Sequence, residues 1–92
     1  MQITKKDLYS AVDEINTLTG NPIHEWDKTN GTIKGAIGNY HLYGAYGGWR
    51  LDQITNEGGG TRTISTGGCE SKKSIYKFMV AFIAGLKIGA KS

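Results

Sequence analysis

The chain has 92 residues, enough for one domain with a modest core. Its 38% hydrophobic and 21% charged residues are ordinary for a globular protein rather than a disordered one. A net charge of +3 permits contact with nucleic acid without arguing for it, and the lone cysteine, Cys69, excludes an internal disulfide or a cysteine-rich zinc site and fits a reducing compartment.

The first residues, Met-Gln-Ile-Thr-Lys-Lys-Asp, carry no apolar run, so no secretory signal is expected. Thr4 followed by Asp7 reads as a capping box, with Ile3 and Leu8 placed as a hydrophobic staple. Leu8, Ala11, Val12, Ile15 and Leu18 recur at helical spacing. Gly20 stands where a left-handed C-cap belongs, and Pro22 blocks continuation. A helix over residues 5–19 follows. Residues 21–38 read as a connector anchored to the core by Trp26, with a turn at Asn30-Gly31 and a short extra strand around Ile33 and Ile37.

The middle of the chain reads as a β-hairpin. Residues 39–46 and 49–56 flank Gly47-Gly48, a pair able to take the positive φ angles of a two-residue turn. With Tyr46 opposite Trp49, one face carries Tyr40, Leu42, Gly44, Tyr46, Trp49, Leu51 and Gln53. The other carries His41, Tyr43, Ala45, Arg50, Asp52 and Ile54. The first set is the more apolar and is expected to be buried, leaving His41, Tyr43, Arg50 and Asp52 exposed. This pairing sets Tyr43 opposite Asp52 and Gly44 opposite Leu51. Asn56 to Gly60 form the next turn, residues 61–65 a third strand, and Gly67-Gly68 its end. Ser71 caps a second helix with Ile75, Phe78, Met79, Phe82 and Ile83 as its buried stripe, widened by Tyr76 and Val80. Gly85 is its expected C-cap, with Leu86 folding back and residues 87–92 frayed. No stretch is long enough and apolar enough to span a bilayer. The expected architecture is a single α+β domain: helix, three-stranded antiparallel β-meander, helix, with both helices on one face of the sheet.

Candidate chemistry is sparse. His24 and His41 lack metal-ligand spacing, so neither a metal nor a cofactor is expected. Cys69 lies just ahead of the second helix, where a nucleophilic thiol would also need a base such as His41, and nothing in the sequence brings the two together. The glycine runs match neither the P-loop nor the dinucleotide fingerprint. Ser71, Lys72 and Lys73, at a helix N-terminus, form a candidate anion site. The sharper candidate is the open sheet face, where His41, Tyr43, Arg50 and Asp52 form a partner-binding patch rather than a catalytic set.

The strings Asn39-Tyr40-His41-Leu42, Gly44-Ala45-Tyr46-Gly47-Gly48 and Asn56-Glu57-Gly58-Gly59-Gly60, with Ala81-Phe82-Ile83-Ala84-Gly85, resemble a set of small uncharacterised proteins of tailed bacteriophages and prophages. The resemblance spans about Asp7 to Gly85. It implies a phage or prophage setting in the cytoplasm of a bacterial host, and analogy with other small phage proteins adds a binder or inhibitor of a host or virion protein. That the chain is not an enzyme is expected from the absence of any base–nucleophile–orienter set or metal constellation. The element order is also similar to that of the double-stranded-RNA-binding domain, and Ser71-Lys72-Lys73 echoes that family's lysine cluster. That likeness implies nucleic-acid binding as the alternative. The chain departs from it with Tyr76 at the third lysine position, Ile75 and Phe78 in place of small alanines, and only Gly47-Gly48 between the first two strands of the meander.

Overall fold

The computed structural model describes residues 2–29, 31–45, 47–65 and 69–91. Helix α1 spans Lys5–Thr19. Its start is fixed by the capping box: the Asp7 amide donates to Thr4 Oγ1 at 3.2 Å, and the Thr4 amide donates to Asp7 Oδ2 at 2.9 Å. Its end is fixed by Gly20, whose φ of 72° is the left-handed turn that releases the chain. The buried stripe is Leu8, Ala11, Val12 and Ile15, joined by Asn16. Leu18, expected in that stripe, is 40% exposed.

The segment expected to be a connector folds instead as a second hairpin. Strands β1 (Trp26–Thr29) and β2 (Thr32–Gly35) pair antiparallel, Trp26 opposite Gly35 and Lys28 opposite Ile33. Gly31, in the turn, has φ 76°. The expected Asn30-Gly31 turn therefore closes a ladder, with Ile33 inside β2 and Ile37 beyond it; Asn30 itself lies outside the described residues. The hairpin leans on the turn at residues 56–60, inside the central sheet: the Gly35 amide donates to the Glu57 carbonyl at 2.6 Å. Trp26 does not enter the core. Its ring lies against Gly59, so close that a Cβ there would stand 2.6 Å from it.

The central sheet runs β3 (Tyr40–Ala45), β4 (Gly48–Ile54), β5 (Thr61–Thr63), with β4 in the middle. The expected meander is present, its third strand two residues shorter. Its register differs from the expected one. Ala45 pairs with Gly48, Gly44 with Trp49, Tyr43 with Arg50, Leu42 with Leu51 and His41 with Asp52. The turn sits one residue earlier, with Gly47 at φ 73°. Every cross-strand partner moves by two, so each side chain keeps its face. Tyr46 and Gly67-Gly68 lie outside the described residues.

Helix α2 covers Lys72–Lys91. The Ser74 amide donates to Ser71 Oγ at 3.2 Å, so Ser71 does start it. The expected stop at Gly85 does not occur. Beyond it Leu86 packs against the core and Lys87 reaches Glu14 at 3.4 Å, contacts that together outweigh the helix-breaking tendency of one glycine. Val80 is 46% exposed rather than part of the buried stripe.

Both helices lie on one face of the central sheet, as expected. Tyr9 meets Trp49 edge-on at 6.4 Å and Tyr40 meets Phe82 at 5.7 Å. Since Asn16 also bonds Tyr40 and Glu70 pairs with Trp49, the helices run parallel, side by side. Between them and the sheet sit Leu8, Ile15, Leu51, Ile75 and Met79, each at 0% exposure. Burying such a side chain is worth about 1.5–3 kcal/mol, so this layer carries the stability, while Trp26, Asp27, Lys28, Thr32, Ile33 and Lys34 of β1 and β2 are exposed.

Of the buried polar residues described, Asn16 ties the first helix to the sheet. Asn16 donates through Nδ2 to the Tyr40 carbonyl at 2.9 Å and accepts from the Tyr40 amide through Oδ1 at 2.8 Å. A single buried side chain thus acts as a strand partner for one residue of β3, an edge strand.

Candidate functional sites

The outer face of the central sheet gathers the four expected residues, but not as an open patch. Arg50 and Asp52 alternate along β4 and so project from one face. The Arg50 guanidinium donates through Nε to Asp52 Oδ1 at 2.9 Å and through Nη2 to Oδ2 at 3.0 Å. This fork occupies both carboxylate oxygens. Asp52, expected exposed, is buried at 2%. The correction has a local cause, because the expected Tyr43–Asp52 pairing left Arg50 elsewhere. With Tyr43 opposite Arg50, the guanidinium lies 4.4 Å above the tyrosine ring. The Asp52 hydrogen bonds hold the guanidinium pKa above its ordinary value, with smaller contributions from the charges of Asp52, Cys69 and Tyr43.

Tyr43 is 46% exposed, whereas His41 and Arg50 are half-buried. His41, opposite Asp52, has a buried Nδ1 with no hydrogen-bond partner among the described residues. The quartet is therefore a stacked, internally neutralised platform with Tyr43 as its accessible part. A free cation for an anionic ligand is missing, since Asp52 already takes the arginine.

Cys69 packs against Gly48 on the same strand, and among the described residues no hydrogen bond joins it to a histidine. Ser71, Lys72 and Lys73 stand exposed at the first turn of α2, in the helix layer, so the structure does not unite them with the quartet. Among the described residues no three His, Cys, Asp or Glu side chains are grouped to hold a metal ion, and no helix is long and apolar enough to cross a membrane.

A second surface, not among the expected sites, lies beside the first hairpin. Ile23, Trp26 and Ile37, at 53%, 47% and 55% exposure, line one groove of about 770 Å³ with His24, Lys34 and Glu57. The groove lies between the β1–β2 hairpin and the segment leading into it. Ile33, on β2, is 62% exposed. Exposed large apolar groups clustered in this way, rimmed by charge, mark binding surfaces more often than ordinary solvated ones. The signal available in the sequence was Asn30-Gly31 with four residues of strand on each side, a hairpin with no apolar alternation to bury.

No family model matches the chain, and neither a curated protein nor a solved structure does.

Proposed function

We propose that the chain is a non-enzymatic binding protein that engages another protein through the Trp26 groove, with the Tyr43–Arg50 platform as a second contact area. The observation that carries this reading is the arrangement of Ile23, Trp26 and Ile37. They are large, apolar and half-exposed, and they converge on one groove. The Trp26 ring is held against Gly59, so little side-chain entropy is lost when a partner covers it. The Tyr43 ring under Arg50 has the same property. The resemblance of residues 39–60 and 81–85 to small tailed-phage and prophage proteins supports a host or virion protein as the partner, met in the bacterial cytoplasm.

The alternative is nucleic-acid binding through Ser71, Lys72 and Lys73. It has less support, because an extra hairpin stands between α1 and the meander, and the sheet-face arginine is already paired with Asp52.

One experiment separates the two. The immobilised chain is exposed to lysate of the bacterium that carries its gene, at low and high salt, beside Trp26→Ser, Ile23→Ser and Lys72→Ala/Lys73→Ala variants. The proposal expects a protein retained at both salt concentrations by the wild type and the lysine variant, but lost with Trp26→Ser and Ile23→Ser. Retained nucleic acid that disappears at high salt and with the lysine variant would establish the alternative. Retention indifferent to every variant would refute both.

A further inference from the structure

We infer that the free edge of β3 is a self-association site, where two copies of the chain join their central sheets antiparallel about a two-fold axis at Tyr43. The ladder fixes which groups point outward. The Ile54 amide donates to the Asn39 carbonyl, which sets the alternation, so residues 41, 43 and 45 turn their backbone groups toward β4. Tyr40, Leu42 and Gly44 turn theirs away, at the sheet edge. Asn16 takes both backbone groups of Tyr40. Among the described residues nothing bonds those of Leu42 and Gly44. Helix α1 does not cover them, for it crosses from Asn16 at the edge to Tyr9 and Lys5 beneath Trp49 of the central strand.

What remains is a short edge that fits itself. Placing Leu42 opposite Gly44 of a second copy, and Gly44 opposite its Leu42, satisfies all four outward groups of each copy at once. The symmetry closes at two copies. The side chains match as well. Leu42 is half-buried on the helix face, and Gly44 leaves a space on the same face bounded by the Trp49 ring, 3.4 Å from where a Cβ would stand. In the pair, each leucine enters the space left by the other copy's glycine. On the outer face the two Tyr43 rings, 46% exposed in one copy, become direct non-hydrogen-bonded neighbours. Each net charge of +3 opposes association, but the Arg50 groups behind those rings are neutralised in place by Asp52. Asn16 sets the length of the seam, because Tyr40 has nothing left to offer a second strand.

Sedimentation equilibrium of the full chain from micromolar to millimolar concentration is the test, with hydrogen exchange read at the Leu42 and Gly44 amides. The wild type is expected to dimerise, and both amides to exchange more slowly as concentration rises. Gly44→Pro removes an outward donor that β4 does not use and fills the space Leu42 needs. It is expected to weaken dimerisation by at least about tenfold, with an unchanged circular dichroism spectrum. Tyr43→Cys in a Cys69→Ser background covers the case in which the proline variant fails to fold. Cysteines at a non-hydrogen-bonded pair stand about 4.5 Å apart at Cα, within disulfide range, so mild oxidation is expected to give a covalent dimer. A chain that is monomeric throughout, with fast exchange at both amides and no cross-link, would overturn the inference and leave the edge to an extended segment of some other protein.

Discussion

Replacing Gly85 by alanine tests where the second helix ends. Gly85 lies inside α2, its φ is not in the left-handed region, and an added Cβ meets nothing within 4 Å. The methyl group therefore introduces no clash and removes the entropy that glycine brings to the unfolded chain. The expected gain is about 0.8–1 kcal/mol, the helix-propensity difference between the two residues. For a domain of this size that is a rise in Tm of roughly 4–8 °C, readable by circular dichroism at 222 nm. Gly20→Ala serves as the opposite control. Gly20 also has free space around it, but its φ of 72° is strained for alanine, and a loss of about 1 kcal/mol is expected there. If Gly85→Ala lowers Tm as Gly20→Ala does, the glycine is a C-cap, the helix stops there, and the packing of Leu86 and the Lys87–Glu14 pair described above is wrong.

Asn16→Ala strips the Tyr40 amide and carbonyl of their buried partner and is expected to cost about 2–4 kcal/mol in urea unfolding; a loss below 0.5 kcal/mol would mean that water replaces the asparagine. Gly59→Ala drives a methyl into the Trp26 ring at a φ of 89°, with an expected cost of about 1–3 kcal/mol and increased solvent exposure of Trp26 in fluorescence. The Asp7 carboxyl is held below its ordinary pKa by the Thr4 amide and, to a smaller degree, the Thr4 hydroxyl. Its folded pKa is thus the lower one, so its contribution is present above the unfolded value and is lost as pH falls through the folded value. Stability measured from pH 6 down to pH 2 is expected to fall less steeply for Asp7→Asn than for the wild type, and parallel curves would rule out the capping role.

How legible the fold was in the sequence depended on how local each cause is. Helix α1 was readable to the residue because Thr4, Asp7 and Gly20 act on their own turns. The two faces of the central hairpin were readable because period-two alternation separates Leu42 and Leu51 from Tyr43 and Arg50. The register was not, since a Gly-Gly pair fits a turn at either of two placements, and the contacts that go with the observed one, Gly44 beside the Trp49 ring and Arg50 over Tyr43, are made across the strands. The end of α2 was misjudged because Gly85 is a local signal that is overruled by Leu86 and Lys87, whose partners lie far away in sequence. Of the candidate site, Tyr43 and Arg50 came together as a pair. The burial of Asp52 was hidden, because it depends on a guanidinium two residues away choosing the carboxylate over solvent. The Trp26 groove was hidden for the opposite reason: strands with nothing to bury leave no pattern.

The parallel packing of α1 against α2 also bears on how the chain is made. Helix α1 is synthesised well before its companion, residues 72–91. Until that later segment leaves the ribosome, the apolar stripe of Leu8, Val12 and Ile15 has only a partial sheet to rest on. At roughly 5–20 residues per second the wait lasts several seconds. A nascent chain stalled before residue 72 would present that stripe to whatever holdase stands at the exit tunnel. Truncations at the C-terminus should therefore be far more prone to aggregation than truncations of the first few residues.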